Sequence, residues 1–224
     1  MRLWIVIVLY KTPKQQLLKL VEQLQNSGLN KKQIFIKDNT KNNLGFARAV
    51  NIGLKTGLKK GYSFFLVLNP DIKLIKFSLF EIENGFKQFD IFGGIFKQDT
   101  KTYYRGIIDP IYLSGGLDDK KPTKTKYPTD FVSGSMMFLN KQAILKNGFL
   151  STKYFLYYED VDYCYSAKKG GLKIGINSKI KYQHFEDSKI NPQKKTYLTK
   201  SHQLFLKKYG AWWQKLAYWL KNNK

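Results

Sequence analysis

The apolar positions of this chain follow two rhythms. Leu3–Tyr10 is a near-continuous run rich in Ile and Val, which predicts a buried strand. Leu17, Leu18, Val21 and Leu24 then recur at helical spacing. Thr12 is the expected cap of that helix, Pro13 its first position and Gly28 its end. Ile34-Phe35-Ile36 predicts a short second strand closed by Asp38-Asn39. A helix from about Phe46 to Lys60 carries Ala47, Val50, Leu54 and Leu58 inward. Tyr62–Leu68 predicts a third strand, stopped by Asn69-Pro70-Asp71. Strand–helix–strand–helix–strand implies a parallel sheet with right-handed crossovers. Ligands of such sheets gather at the carboxyl ends of the strands, so Asp38 and Asp71 should face one crevice.

The middle of the chain is less regular. Phe77–Gln88 reads as a helix, and Ile91–Phe96 and Tyr103–Ile108 as strands. Asp109–Pro128 is polar and contains Gly and Pro, which predicts a mobile flap. Phe131–Leu139 reads as a strand, and Asn140 should cap a short helix ending at Gly148. Val161–Lys169 predicts a helix closed by Gly170-Gly171, followed by two short strands, Leu172–Asn177 and Lys179–His184. Lys194–Tyr209 and Ala211–Lys221 predict two amphipathic helices. The expectation is one α/β domain over residues 1–187, with a basic helical appendage over 188–224.

Charge adds a constraint. The chain has 39 Lys and Arg against 16 Asp and Glu, a formal charge of +23, which calls for an anionic partner. Nucleic acid, anionic lipid and phosphorylated small molecules are the candidates. Ser188–Lys224 concentrates the excess, with nine Lys and no acid, and holds three of the four Trp. Its last helix gathers Trp212, Leu216, Trp219 and Leu220 on one side, beside Lys215 and Lys221. That pattern suits an anionic membrane surface; the alternative is a helix packed on the domain or a homodimer contact. The run Leu3–Tyr10 is too short to span a bilayer and lacks a signal-peptide cleavage site. The lone Cys164 excludes an internal disulfide and a Cys-rich metal site, and fits a reducing cytoplasm.

Acids are scarce, yet Glu159-Asp160-Val161-Asp162 holds three of the 16. Repulsion between close carboxylates raises at least one pKa. Tyr154-Phe155-Leu156-Tyr157-Tyr158 leads into the cluster, and a carboxylate against an apolar wall is a candidate general base. The competing explanation is an acidic first helical turn, favoured by the macrodipole.

Four segments stand in order: Lys37-Asp38-Asn39-Thr40; Asn43 through Gly53 (NLGFARAVNIG); Leu68-Asn69-Pro70-Asp71; and Tyr157-Tyr158-Glu159-Asp160-Val161-Asp162-Tyr163-Cys164. The series resembles the family 2 glycosyltransferases, in particular their rhamnosyltransferase-like branch, over Trp4 to His184. The resemblance implies a GT-A-like fold, with a mostly parallel central sheet flanked by helices. It implies an inverting transfer from a nucleoside-diphosphate sugar, dTDP-rhamnose or a UDP-hexose, to a hydroxyl of a glycan, lipid-linked, in bacterial cell-surface polysaccharide synthesis. Asp38 would accept the base N–H of a pyrimidine nucleotide. Tyr10, Asn43, Gly45, Phe46, Arg48, Asn51, Asn69 and Asp71 complete the implied donor site, with Arg48 offsetting diphosphate charge. Asp71, with His184, would hold Mg²⁺ or Mn²⁺; Asn69 replaces the usual first aspartate of that motif. Asp160 is the implied base, with Glu159 and Asp162 as second choices. Gly134, Ser135 and Tyr158 would lie at the acceptor. Ser166 stands where relatives often carry an Arg that braces the acidic motif, and Lys168 or Lys169 is the expected substitute.

The implied location is cytoplasmic, peripheral on the inner face of the plasma membrane. Two other classes compete: a non-catalytic scaffold of the same fold, which Asn69 and Ser166 keep open, and a basic nucleic-acid-binding module. No nucleic-acid motif is present and an acidic crevice opposes one, so no nucleic acid is expected.

Overall fold

The computed structural model describes residues 1–186 and 191–222. The continuous apolar run forms β1 (Leu3–Leu9), which lies inside the sheet and is buried on both faces. Trp4, Val6 and Val8 point into one core; Leu3, Ile5 and Ile7 point into the other. On one side lies α1 (Lys14–Asn26) with α3 (Leu79–Phe86). On the other side α2 (Phe46–Lys59), α4 (Lys141–Asn147), α5 (Glu159–Lys169) and α6 (Pro192–Tyr209) bury their apolar stripes. α2 approaches β1 closely because Gly53 has no side chain; a Cβ there would sit 2.4 Å from Val6.

β1 pairs in parallel with β2 (Ile34–Asp38) and β3 (Phe64–Leu68), as the N-terminal pattern predicts. Beyond β3 the sheet changes character. β10 (Met136–Asn140) enters antiparallel between β3 and β5 (Ile91–Gln98). β11 (Ile174–His184) returns parallel to β5, and β4 (Ile72–Lys76) pairs antiparallel with β11 at the edge. The order β2-β1-β3-β10-β5-β11-β4 is therefore mixed rather than mostly parallel.

Several sequence expectations change here. Thr12 does not cap α1: its hydroxyl accepts from Tyr10 N at 3.3 Å, and Pro13 occupies the cap position without a side-chain bond. Tyr103–Ile108 divides into β6 (Lys101–Tyr103) and β7 (Arg105–Ile108), which belong to different sheets. The expected flap contains β8 (Gly115–Asp118), paired with β7, and β9 (Lys126–Pro128), paired with β11. The two short strands before His184 are one strand whose register with β5 shifts between Ile176 and Lys181. Phe131–Ser135 precedes β10 as a bridge and turn.

The C-terminal segment splits in two. Phe205 and Leu206 of α6 are buried in the main core, so α6 is part of the domain and not an appendage. α7 (Trp212–Asn222) turns only Gln214 fully inward, while Trp212, Trp213, Leu216, Trp219 and Leu220 are exposed. No helix among the described residues is long and apolar enough to cross a membrane.

Candidate active site

A pocket of about 540 Å³ opens over the carboxyl ends of β1 and β3. Tyr10 and Lys11 at the exit of β1, the loop before α2, Asn69-Pro70-Asp71, Phe155–Tyr157 and the start of α6 wall it. The loop before α2 is fixed by its own amides. Asn39 is buried; its Nδ2 donates to Asn43 Oδ1 at 3.1 Å and Gly45 O at 3.3 Å, and its Oδ1 accepts from Leu44 N at 3.1 Å. Gly45 stands at φ +80°, ψ 162°, a conformation held essentially by glycine alone. A Cβ there would lie 2.8 Å from the Phe155 carbonyl, which instead accepts from Phe46 N at 3.2 Å. One hydrogen bond thus ties the loop before α2 to the segment that leads into the acidic cluster.

At the pocket edge, β4 and β11 bring Asp71 to His184. Their Oδ1 and Nε2 atoms are 3.4 Å apart, within ion-pair range. Both atoms are buried, and neither has a hydrogen-bond partner. An unsatisfied carboxylate oxygen beside an unsatisfied imidazole nitrogen is a costly arrangement in a protein interior. It is relieved by a divalent cation, for which both atoms are suitable ligands. Among the described residues no third His, Cys, Asp or Glu joins them. The pair therefore fits a cation that takes its other ligands from phosphate oxygens and water, as Mg²⁺ commonly does.

The acidic cluster begins α5. Tyr157 and Tyr158, at φ +65° and +68°, are both left-handed, and two such non-glycine residues in succession mark a strained turn. The turn aims the next carboxylates. Asp160 Oδ2 accepts from Gly134 N at 2.8 Å, and its Oδ1 from Val161 N at 2.8 Å. Gly134 in turn packs against Phe46, a pocket residue, so Asp160 lies just behind the pocket wall. Burial raises Asp160 above the ordinary carboxylate range, opposed by those amides. Burial, then the Asp160 charge, push neighbouring Glu159 up to about 8. Glu159 Oε2 is buried without a partner. Neighbouring carboxyls resist ionising together, which favours one of them keeping its proton.

The pocket gathers Tyr10, Asn43, Gly45, Phe46, Asn69 and Asp71 from the expected donor set. Other expected site residues have different surroundings. Asp38 is exposed at the end of β2, one residue before pocket-lining Asn39; the Thr40 hydroxyl, and then Thr40 N, which donates to its Oδ1 at 2.8 Å, lower its pKa. Arg48 is exposed on α2 outside the pocket wall. Asn51 spends both ends of its amide on Leu150, at 2.8 and 3.1 Å, and is a framework staple. Ser135 is buried, with its hydroxyl bonded to Ser133 and to Tyr182 at 2.7 Å. The Tyr158 hydroxyl accepts from Gly115 N at 3.1 Å and its ring stacks on His202. Asp162 is 3% exposed and ion-paired to Lys208, which removes it as a base. Lys168 pairs with Asp130 and Lys169 lies over Tyr165 and Tyr209, so neither braces the acidic motif.

The structure also adds residues that sequence reading missed. Lys11, Tyr157, Glu186, Lys194 and Tyr197 all line the pocket. Glu186 Oε1 accepts from Tyr157 OH at 3.1 Å and from Lys194 Nζ at 2.8 Å. Two lysines among so many carry no signal, but Glu186 is an acid in a basic chain, two residues past His184.

No protein-family model matches the chain. Over 174 residues it is 25% identical to the low-salt glycan biosynthesis hexosyltransferase Agl10 of Haloferax volcanii, covering 73% of this chain and 54% of that protein. The chain thus spans about half the length of that curated relative. Among solved structures it superposes on chains of two sizes. GalNAc-T7, solved with UDP, GalNAc and Mn²⁺, matches with a TM-score of 0.65 and 11% identity, over 90% of this chain and 47% of that one. The fold is GT-A-like. A197 from STIV matches with a TM-score of 0.58 and 18% identity, over 84% of this chain and 87% of that one. The GT-A likeness agrees with the pocket's place at the carboxyl ends of the parallel strands.

Proposed function

We propose that the protein is a metal-dependent, inverting glycosyltransferase of glycan synthesis, using a nucleoside-diphosphate sugar. The observation that carries this reading is the buried, unsatisfied Asp71–His184 pair at the edge of the donor-sized pocket. Similarity to a hexosyltransferase of glycan biosynthesis supports it. Asp71 and His184 would hold Mg²⁺ or Mn²⁺; when bound, the ion stabilises charge on the leaving diphosphate. Tyr10 and the Asn43–Phe46 loop shape the nucleotide side, with Asp38 at the rim for the base. Lys11 and Lys194 are the pocket cations placed to meet phosphate charge.

Asp160 acts as base, removing the proton from the acceptor hydroxyl as that oxygen attacks the anomeric carbon. One displacement inverts the centre, and the proton passes to a carboxyl whose pKa burial has already raised. The donor is dTDP-rhamnose or a UDP-hexose. The acceptor is a lipid-linked glycan met at the anionic cytoplasmic face of the plasma membrane. The outward apolar face of α7, with Lys215 beside it, supports that location.

Calorimetric titration of UDP, dTDP, GDP and CDP, each with and without Mn²⁺ and repeated on Asp71→Ala, tests the reading. Metal-dependent binding of one pyrimidine diphosphate, lost in the variant, is expected. Binding of none of the four would refute it.

A further inference from the structure

We infer that Lys208 of α6 is a positioning residue for the acidic turn, so that the C-terminal helix is part of the transfer machinery. The inference deepens the reading of Asp160 as base and depends on it for its catalytic meaning.

Three observations lead here. First, Asp162 is a buried acid of α5's first turn, and Lys208 Nζ grips both its oxygens, at 2.7 and 3.0 Å. Tyr154 OH donates to the same carboxylate at 3.1 Å. Second, the strained pair Tyr157–Tyr158 needs surroundings that over-determine it. α6 supplies them: Ser201 Oγ donates to Leu156 O at 2.9 Å, His202 stacks on Tyr158 at 5.4 Å, and Phe205 packs on the same ring at 5.7 Å. Third, Ser201, Phe205 and Lys208 follow the i, i+4, i+7 spacing of one helix face, so a single rigid element holds the turn on both sides.

The acids of the turn thus divide their roles. Asp162 is the anchor, facing α6. Asp160, two residues earlier, is left to Gly134 N and to the pocket side. Because both sit in one helical turn, a shift of the anchor moves the base.

The test uses the full chain. Lys208→Met is expected to lower kcat for release of UDP or dTDP from UDP-glucose, UDP-N-acetylgalactosamine or dTDP-rhamnose by about 10–100-fold. KM should stay within about twofold, and Lys208→Arg should recover most of the rate. The double variant Asp162→Asn/Lys208→Met, which strands no buried charge, should fold and show the same loss of kcat. Amide hydrogen exchange of 157–162 should quicken in both Met variants and return to the wild-type rate in Lys208→Arg. Wild-type exchange in the double variant overturns the inference, as does wild-type kcat. If the wild-type chain releases diphosphate from none of the three donors, the transfer reading is what fails; the exchange result still decides whether Lys208 holds the turn.

Discussion

Asp71 and His184 meet across the seam between edge strand β4 and its antiparallel neighbour β11, one residue before β4 begins and at the last residue of β11. Their facing atoms are 3.4 Å apart, buried and unsatisfied. Removing either should separate metal from nucleotide. In His184→Ala, Mn²⁺ should improve UDP or dTDP affinity by less than about twofold, against tenfold or more in the wild type. Calorimetry with and without Mn²⁺ reads this directly, and an undiminished metal effect would place the ion elsewhere.

Asp160→Asn should lower turnover by about 10²–10⁴-fold while nucleotide affinity stays within about twofold. The amide keeps one oxygen for Gly134 N but cannot take the acceptor proton. Steady-state rates beside calorimetric affinities separate the two effects. Turnover near wild type would move the base to Glu159.

Glu159 ties folding to pH. Its folded-state pKa lies above its ordinary value of 4.5, near 8, so the folded state retains a proton that the unfolded chain releases. Its contribution is fully present below 4.5 and is lost as pH rises through 8. Denaturant unfolding of wild type and Glu159→Gln at pH 5, 7 and 9 should show the wild type losing stability relative to the variant as pH rises. Parallel curves would contradict a buried, protonated Glu159.

Gly45→Ala should destabilise the protein by about 1–3 kcal/mol from backbone strain alone, because the position is left-handed and the new Cβ meets the Phe155 carbonyl. The loss of the Phe46–Phe155 tie should also weaken nucleotide binding. A thermal melt and a UDP titration on the same sample would show both, and an unchanged melting temperature would contradict the geometry.

Truncation distinguishes the two tail helices. Ending the chain at Gly210 should keep the fold and nucleotide binding but abolish co-sedimentation with phosphatidylglycerol vesicles, since the exposed Trp face belongs to α7. Ending it at Ile190 should unfold or severely destabilise the domain, because Phe205 and Leu206 each stabilise by about 1.5–3 kcal/mol through burial. Retained vesicle binding after the first cut would defeat the membrane role of α7.

The N-terminal half was legible in the sequence because β1, α1, β2, α2 and β3 each carry a strong apolar period. Asp71 was placed by where β3 stops, whereas Asn43, Gly45 and Asn69 came only from the resemblance to the family 2 glycosyltransferases. β4 was missed although Ile72 and Leu74 alternate with Lys73, because Asn69-Pro70-Asp71 reads as a turn into a loop. β8, with the sequence GGLD, has no apolar pattern; its pairing with β7 is sealed by Arg105 on Asp118 at 2.7 Å. The roles of Asn51, Ser135 and Asp162 were not legible, since each is set by a partner far away in sequence. Whether a carboxylate is a base or an anchor depends on what faces it, and Lys208 is 46 positions from Asp162, 208 minus 162.

The strut from α6 to the acidic turn has a consequence for synthesis. β1, β2 and β3 can pair while the ribosome is still working, because their partners lie close in sequence. Yet the pocket lacks a wall until α6 emerges, and Asp162 lacks its counter-charge until Lys208 does. A growing chain therefore holds a nearly finished sheet but no finished site, and the proposed transfer would begin only after α6 has docked.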